Sequence, residues 1–514
     1  MSAAAVWAYA LGHPLLALLW VGCLVVLLAL KLGLGVGRGT TGGRAWSARW
    51  ATGGEMGRLT SAAAPPAGLL LGRRGRSWVA VQSTSERREL GNVLVVGPPR
   101  CGKGLLACSQ LLSWSGSVIV NDLKGDLYAQ TAGYRATLGP VYVLDPRGVG
   151  HQVDPLAGRA TEDRLYAAAA ALLWRPGESD AIFTERATEQ LAVLFEAAQR
   201  AGQPGMTYVR GAVRGGLTAA VEKLARADRG LAVRFLDREP DDDAWQTDRF
   251  LASAWGTLHA RLRPVLGENI VRVFAGSSFR PADLYGPKPV SVYLRWPEED
   301  LTALTPIVRL LWTTLLGELV AHYDRVGGKD CLPILCLVDE AGRAPVPALA
   351  DFASTVVGRE ISLWIAVQSI AQLEAEYGKA RAQTIRDDAE HQVFYRPSDM
   401  VTADHISAHL GQVTTVARGT SVGNDGRRSD SVTERTSPLL PAAEVRQMAD
   451  RQVVAFHRGM APMRLERCDW RTDKVLTSRH GARPPTVPAL PELAAEAVPV
   501  AKSEPGENPR YVRF

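Results

Sequence analysis

The sequence lacks most of the signatures that announce catalytic or metal chemistry. Its nine histidines form no HExxH or HxH pattern, and no GxSxG elbow is present. Those absences remove the metallopeptidase and serine-hydrolase readings. Cysteine is scarce: Cys23, Cys101, Cys108, Cys331, Cys336 and Cys468 show no CxxC or Cys/His zinc spacing. So few in so long a chain exclude a disulfide scaffold and fit a reducing, cytosolic setting. A strong excess of one charge is also missing, since 59 Lys+Arg face 53 Asp+Glu, a net of +6. That mildly basic balance permits a nucleic-acid or anionic-lipid partner. The 46% hydrophobic and 22% charged fractions exclude a disordered, collagen-like or polytopic membrane chain. A length of 514 residues predicts two or three folded units of ~150 residues each.

One absence is local. From Met1 to Leu30 there is no Lys, Arg, Asp or Glu. Leu15 to Leu30 reads LLALLWVGCLVVLLAL. With the uncharged residues upstream, the run reaches the ~20 residues needed to cross a bilayer. A cleaved signal peptide would carry positive charge before its apolar core and small residues at a cleavage site. Here the basic residues follow the core: Lys31, Arg38, Arg44, Arg49 and Arg58, opposed by Glu55. The positive-inside rule then predicts one anchor, with the N-terminus outside and the bulk of the chain cytoplasmic. The Gly-, Ala- and Arg-rich stretch that follows reads as a solvated juxtamembrane linker, as a contact with anionic headgroups, or both.

Chemistry begins after Gly91. NVLVVG reads as a buried strand, GPPRCGKG (97–104) as a glycine-rich loop and LLACSQLL as a helix. In that context GxxxxGK is a phosphate-binding loop. Gly97, Pro98, Pro99, Arg100, Cys101, Gly102, Lys103, Gly104 and Leu105 would wrap the phosphates of ATP in backbone N–H groups at a helix N-terminus. Lys103 would reach the β- and γ-phosphates, and Cys101 reads as a small spacer. Gly104 stands where a Ser or Thr hydroxyl is usual for Mg2+. Either water fills that coordination position or the metal is held differently.

PILCLV (333–338) is an apolar run of strand length that ends in Asp339 and Glu340. After an upstream phosphate loop, Asp339 would hold Mg2+ through its water shell and Glu340 would polarise the attacking water. The wide separation from the loop implies an insertion. SLWIAVQ (362–368) is a further strand, and Gln368 at its end is either a γ-phosphate sensor or a polar strand cap. Arg359 just before it acts in trans on a neighbour's γ-phosphate or is a surface charge.

Several segments occur in one order: GPPRCGKG, VNDLKGDLY (120–128), LVDEAG and AVQSIAQLEAEYG (366–378). Together they resemble the TraG/TraD-type coupling proteins of type IV secretion and conjugation. VYVLDP, SVYLRWPEEDLTALTPIVRLLW (291–312), TADHISAHLGQVT (402–414) and SPLLPAAEVRQMADRQVVAFHRGMAPMR (437–464) support the likeness, which runs from about Leu90 to Arg464. The resemblance implies a homohexameric, RecA-like ATPase in the inner membrane. Such a protein receives the relaxase–DNA complex and drives single-stranded DNA towards the secretion channel. It also implies that glycine at Gly104 is normal, and that Lys103, Asp339, Glu340, Arg359 and Gln368 are the catalytic positions. Many such proteins carry two transmembrane helices, whereas this chain offers one clear span.

Between Arg159 and Ser277 the chain is alanine-rich and helical in pattern, as in LYAAAAALLW and RATEQLAVLFEAAQRAG. The strand-like runs on either side alternate with helices, so a largely parallel sheet follows. Ala417 to Ser437 reads as a polar mobile loop, and seven prolines after Gly481 argue for a disordered tail. The fold class expected is α/β: a RecA-like P-loop NTPase core with an inserted all-α domain and one N-terminal transmembrane helix. The expected divisions are an anchor over 1–34, a basic linker over 35–89 and a nucleotide-binding domain over 90–157 and 286–470. An inserted all-α domain over 158–285 and a proline-rich tail over 471–514 complete them. Two other functional classes share the motifs: a DNA translocase of the FtsK or HerA type, and a non-hydrolysing membrane docking receptor.

Overall fold

The computed structural model describes residues 47–83, 88–157, 161–175, 181–328, 331–342, 349–422 and 428–493. The expected membrane span over 1–34 lies outside them, as do residues 494–514 of the expected tail.

Three short strands open the described chain: β1 (Thr60–Ser61), β2 (Gly68–Arg74) and β3 (Ser77–Gln82), paired antiparallel. They are followed by β4 (Val93–Val96), β5 (Ser117–Asn121), β6 (Val141–Asp145), β7 (Val149–Gly150) and β8 (Ser291–Leu294). Next come β9 (Ile334–Val338), β10 (Ile361–Val367) and β11 (His391–Phe394). β12 (Gln412–Val422) and β13 (Arg428–Pro438) pair only with each other, and β14 (Gln452–His457) and β15 (Met463–Glu466) return to the main sheet. That sheet has thirteen strands in the order β1-β3-β2-β15-β14-β11-β4-β10-β9-β5-β8-β6-β7. From β11 to β6 its seven strands run parallel.

Both faces of the parallel strands are covered, which is why they read as unbroken apolar runs. Alternate residues go to opposite faces. Ile361, Leu363, Ile365 and Val367 of β10 join one apolar cluster, whereas Trp364 and Ala366 join the other. The second face is covered by α1 (Lys103–Ser113) and α2 (Asp126–Leu138), through Leu106, Leu111, Leu127 and Tyr128. Between β7 and β8 all the described α- and 3-10 elements are helical. They include α3 (Glu162–Leu173), α4 (Ala181–Arg200), α5 (Gly205–Ala227), α6 (Arg229–Leu236), α7 (Arg249–Leu262) and α8 (Glu268–Val273). Aspartates start two of these helices. The Asp248 carboxylate accepts from the N–H groups of Phe250 at 2.8 Å and Leu251 at 3.1 Å, and Asp228 accepts from Gly230. The apolar faces of these helices share the first cluster with β4, β8, β9 and β10.

Asp154, just before this helical stretch, accepts a hydrogen bond from the Leu156 N–H at 3.1 Å. Burial pushes its carboxyl up to about 6, against the pull of backbone donors. A raised carboxyl favours the folded state below its ordinary range, and that advantage is lost as pH climbs through about 6. Asp154→Asn is therefore expected to match wild-type stability near pH 4. By pH 8 it should exceed it by on the order of 1–2 kcal/mol, after discounting for partial exposure. Chemical denaturation at the two pH values checks this, and an Asn variant less stable at pH 8 would refute the sign.

α9 (Leu301–Val326) follows β8. Its Thr302–Val326 stretch is apolar and long enough to cross a membrane, but 56% of the window is buried inside the fold. Leu304, Ile307, Leu311, Leu315 and Leu319 sit in the first cluster, so this is a core helix. The remaining helices are α10 (Leu349–Thr355), α11 (Ile370–Tyr377), α12 (Lys379–Asp387), α13 (Met400–Leu410), α14 (Ala442–Val445) and α15 (Lys474–His480).

Three stretches differ from the sequence reading. Within the expected linker over 35–89, the described residues supply β1 to β3, whose Leu69, Leu70, Trp78 and Val79 are buried. The polar loop over 417–437 falls largely within β12 and β13. The described part of the expected tail, residues 471–493, packs onto the fold. α15 buries Leu476, and the Arg479 guanidinium lies over the Tyr134 ring while donating to the Leu112 carbonyl. Beyond α15 the chain runs across α2 and β7. Tyr128 donates to the Pro485 carbonyl, Gly150 to Pro488, and Leu490 donates to Gly148. Gly133 of α2 makes this approach possible, because a Cβ there would lie 2.0 Å from the Ala482 carbonyl oxygen.

Candidate functional site

The site is built where β4 ends. Gly97 donates its N–H to the Val367 carbonyl at 3.2 Å, which ties the start of the loop to the end of β10. Arg100 and Gly102 then take left-handed conformations, φ 64° and 119°. The loop turns back on itself and opens α1 at Lys103, which places it at a helix N-terminus, where N–H groups lack carbonyl partners. Lys103 is buried, and its ammonium donates to the carbonyls of Gly97 and, at 3.1 Å, Pro98. Pro99 and Arg100 are exposed, Pro98, Cys101 and Leu105 are half-buried, and Gly104 is exposed with open space around its Cβ position. The missing hydroxyl at Gly104 is thus not a matter of room. Burial pushes the Cys101 thiol up, and the nearby Lys103 charge opposes that shift. A protonated thiol suits a spacer.

Sheet order brings the other residues alongside. β10 lies between β4 and β9, with Val367 opposite Val96 and Ile365 opposite Val338. At ~4.8 Å per strand, the ends of β4 and β9 are therefore about 10 Å apart. Asp339 and Glu340 leave β9 there. Glu340 has φ 56°, a conformation that non-glycine residues adopt only at a cost. Its N–H donates to Asp339 Oδ1 at 3.1 Å. The Gln368 amide, at the end of β10, donates to Glu340 Oε2 at 3.0 Å. Burial first, and the neighbouring Glu340 carboxylate second, push the Asp339 carboxyl up to about 6, while Lys103 pulls it down.

The structure thus gathers the loop, Lys103, Asp339, Glu340 and Gln368 at the carboxyl ends of three neighbouring parallel strands. Arg359 is not among them. It precedes β10 at the opposite end, and seven residues of strand at ~3.3 Å each put it more than about 20 Å from Gln368. Its guanidinium makes a two-pronged pair with Asp324, at 2.8 Å to each carboxylate oxygen.

Four neighbours escaped the sequence reading. Asn121, at the end of β5, donates to the Asp339 carbonyl at 3.1 Å, and its own Oδ1 is buried without a partner. Gln372 Oε1 accepts from the Gln368 N–H at 2.9 Å. Tyr395, just past β11, donates to the Gly102 carbonyl at 3.2 Å. Arg467 reaches the Cys101 carbonyl at 3.4 Å. Asn121 and Gln372 had a usable signal, since they lie in the VNDLKGDLY and AVQSIAQLEAEYG segments; Tyr395 and Arg467 meet the site through the topology.

A divalent cation is compatible with these residues. Asp339 is a half-buried carboxylate that ionises reluctantly on its own, and Asn121 offers an unpartnered buried oxygen beside it. Oxygen donors of this kind suit a hard ion such as Mg2+.

A parallel α/β sheet with a GxxxxGK loop at the carboxyl end of one strand and an Asp-Glu pair two strands away defines the class. Within that class the chain belongs to the type IV secretory system conjugative DNA transfer family, which matches residues 67–491. It is a type IV coupling protein by this membership. VirD4 of Rhizobium rhizogenes is 26% identical over 476 residues, 87% of this chain and 68% of that protein. The conjugal transfer protein TraG of Escherichia coli is 27% identical over 400 residues, 70% of this chain and 61% of its own length. The bacterial conjugative coupling protein TrwB has the same fold. Its unbound form gives a TM-score of 0.63 at 16% identity, with 82% of this chain and 92% of that one covered. TrwB has also been seen with the ATP analogue ADPNP, TM-score 0.61, and with ADP and Mg2+, TM-score 0.60.

Proposed function

We propose that this chain is the ATP-driven coupling protein of a conjugative type IV secretion system. It recruits the relaxase–DNA complex and moves single-stranded DNA, with its attached protein, into the secretion channel. The observation that carries this reading is the convergence of Lys103, Asp339, Glu340 and Gln368 on one edge of the sheet. Family membership supplies the DNA-transfer context.

In this reading ATP lies on the loop 97–105. Lys103 leaves the Gly97 and Pro98 carbonyls for the β- and γ-phosphates and balances charge as the bond breaks. Asp339 and Asn121 hold Mg2+, which supplies charge neutralisation between the phosphates. Glu340 orients and polarises the attacking water, and Gln368, bonded to Glu340, reports whether the γ-phosphate is present. Arg359 cannot reach its own chain's loop, so it serves the neighbouring subunit of a homohexamer in the inner membrane. The helices between β7 and β8 form an inserted all-α domain that faces relaxosome proteins. DNA is held mainly by its phosphates, which makes binding tolerant of sequence and sensitive to salt.

The test is ATP turnover by the purified full chain with and without single-stranded DNA. DNA is expected to raise turnover, and Lys103→Ala to lower it by about a hundredfold or more. A wild-type chain that binds ATP yet never hydrolyses it, with or without DNA, would favour the docking-receptor class instead.

A further inference from the structure

The phosphate loop is contacted by a cation from the far end of the chain. Arg467 follows β15, three strands away from β4 across β11 and β14. Its Nη1 donates to the Cys101 carbonyl at 3.4 Å. Its Cδ would lie 3.1 Å from a Cβ on Gly102, so the side chain lies against the middle of the loop. The Arg467 backbone is pinned by its own N–H, which donates to the Arg451 carbonyl at 2.7 Å. The adjacent Cys468 is fully buried and anchors the turn.

The charge at this point makes no direct ion pair among the described residues, although it helps to hold the Asp469 carboxyl below its ordinary range from a distance. Of the two carboxylates nearest in sequence, Glu466 is exposed at the end of β15 and makes no ion pair with Arg467, and Asp469 is taken up by Arg471, at 2.8 Å and 2.6 Å to its two oxygens. The one hydrogen bond that Arg467 makes to the loop is long and engages a single N–H, which leaves most of its five donors uncommitted. A half-buried arginine with no directly bonded carboxylate is poorly explained as a structural strut. Beside a glycine-rich loop that opens a helix at Lys103, it is well explained as part of an anion site. Lys103 occupies the Gly97–Pro98 side of the same loop, so the two cations approach from different sides.

We propose that Arg467 is a direct phosphate ligand of the bound nucleotide, acting within its own subunit on the phosphates common to ADP and ATP. This rests on the nucleotide-site reading above. Lys103 serves the terminal phosphate, whereas Arg467 grips the part of the nucleotide that remains after hydrolysis. Arginine suits that task because its planar fork can meet two phosphate oxygens at once.

The experiment is equilibrium binding of fluorescent ADP and of a fluorescent non-hydrolysable ATP analogue to the purified full chain. Wild type, Arg467→Ala and Arg467→Lys are compared at two salt concentrations. Losing a charge-assisted hydrogen bond is expected to weaken Arg467→Ala for both nucleotides alike, by about tenfold or more. Arg467→Lys is expected to recover much of the loss, and the alanine variant to show a shallower salt dependence. Unchanged affinity in Arg467→Ala overturns the proposal while leaving the nucleotide site in place. So does equal weakening in the alanine and lysine variants with a lowered melting temperature, the mark of a loop prop. A wild-type chain that binds neither nucleotide overturns the nucleotide-site reading itself.

Discussion

Glu340→Gln is expected to bind ATP as tightly as the wild-type chain and to hydrolyse it about a hundredfold or more slowly. Glutamine has nearly the same shape, and its carbonyl oxygen can still accept the Gln368 amide that now bonds Glu340 Oε2 at 3.0 Å. The backbone around it should not move, because the left-handed φ of 56° at this residue is imposed by the exit from β9 and not by the carboxylate. What is lost is the negative oxygen that draws a proton from water. Affinity by nucleotide titration and rate by single-turnover hydrolysis separate the two effects. A rate within a few-fold of wild type would remove Glu340 from the role of base. A rate loss matched by an equal affinity loss would indicate that the substitution had disturbed the loop instead.

Arg359→Ala is expected to lower turnover by about a thousandfold, the scale of a trans arginine, with folding and nucleotide affinity little changed. Its present partner, Asp324, is exposed on α9, so a neighbour's phosphate competes for the guanidinium against a pair that is already in water. Asp324 is held below the ordinary carboxylate range by that arginine, two of whose nitrogens lie 2.8 Å from its two oxygens. The decisive measurement mixes two inactive chains. Arg359→Ala subunits keep Lys103, and Lys103→Ala subunits keep Arg359, so a fraction of the mixed interfaces holds one intact site. Recovered ATP turnover on mixing is the expected outcome. Full activity in Arg359→Ala alone, or no recovery on mixing, would reduce Arg359 to a surface ion pair.

The parts of this molecule legible in the sequence are those whose cause is local. GPPRCGKG between an apolar run and a helix can fold in few other ways, and PILCLV ending in Asp339–Glu340 needs only strand periodicity to be placed. Sheet order was not local. That β10 lies between β4 and β9, and so sets Gln368 against Glu340, follows from how seven parallel strands are stacked. Two misreadings came from composition. Residues 68–82 looked like linker because of their glycines and arginines. Yet LLLGRR and SWVAVQ flank Gly75–Arg76, with φ 59° at Gly75, and close a two-residue hairpin in which Arg74 faces Ser77. Residues 481–493 looked disordered because of their prolines. Proline lacks an N–H but keeps its carbonyl, and the carbonyls of Pro485, Pro488 and Pro491 all accept hydrogen bonds from the folded chain.

The position of β14 and β15 has a consequence for the order of events in synthesis. They lie between β11 and β2, so β2 has its partner β3 on one side and an open edge on the other until the chain has grown past Met463. At roughly 5–20 residues per second, that edge waits for tens of seconds on the ribosome. The phosphate loop, made early, receives Tyr395 and Arg467 only near the end of the same interval. A nascent chain cannot hold the loop in its final surroundings, however long the loop itself has been out of the ribosome. On the proposed reading of the loop, nucleotide competence marks a finished chain, and a truncation that removes β15 is expected to withdraw it along with the strand.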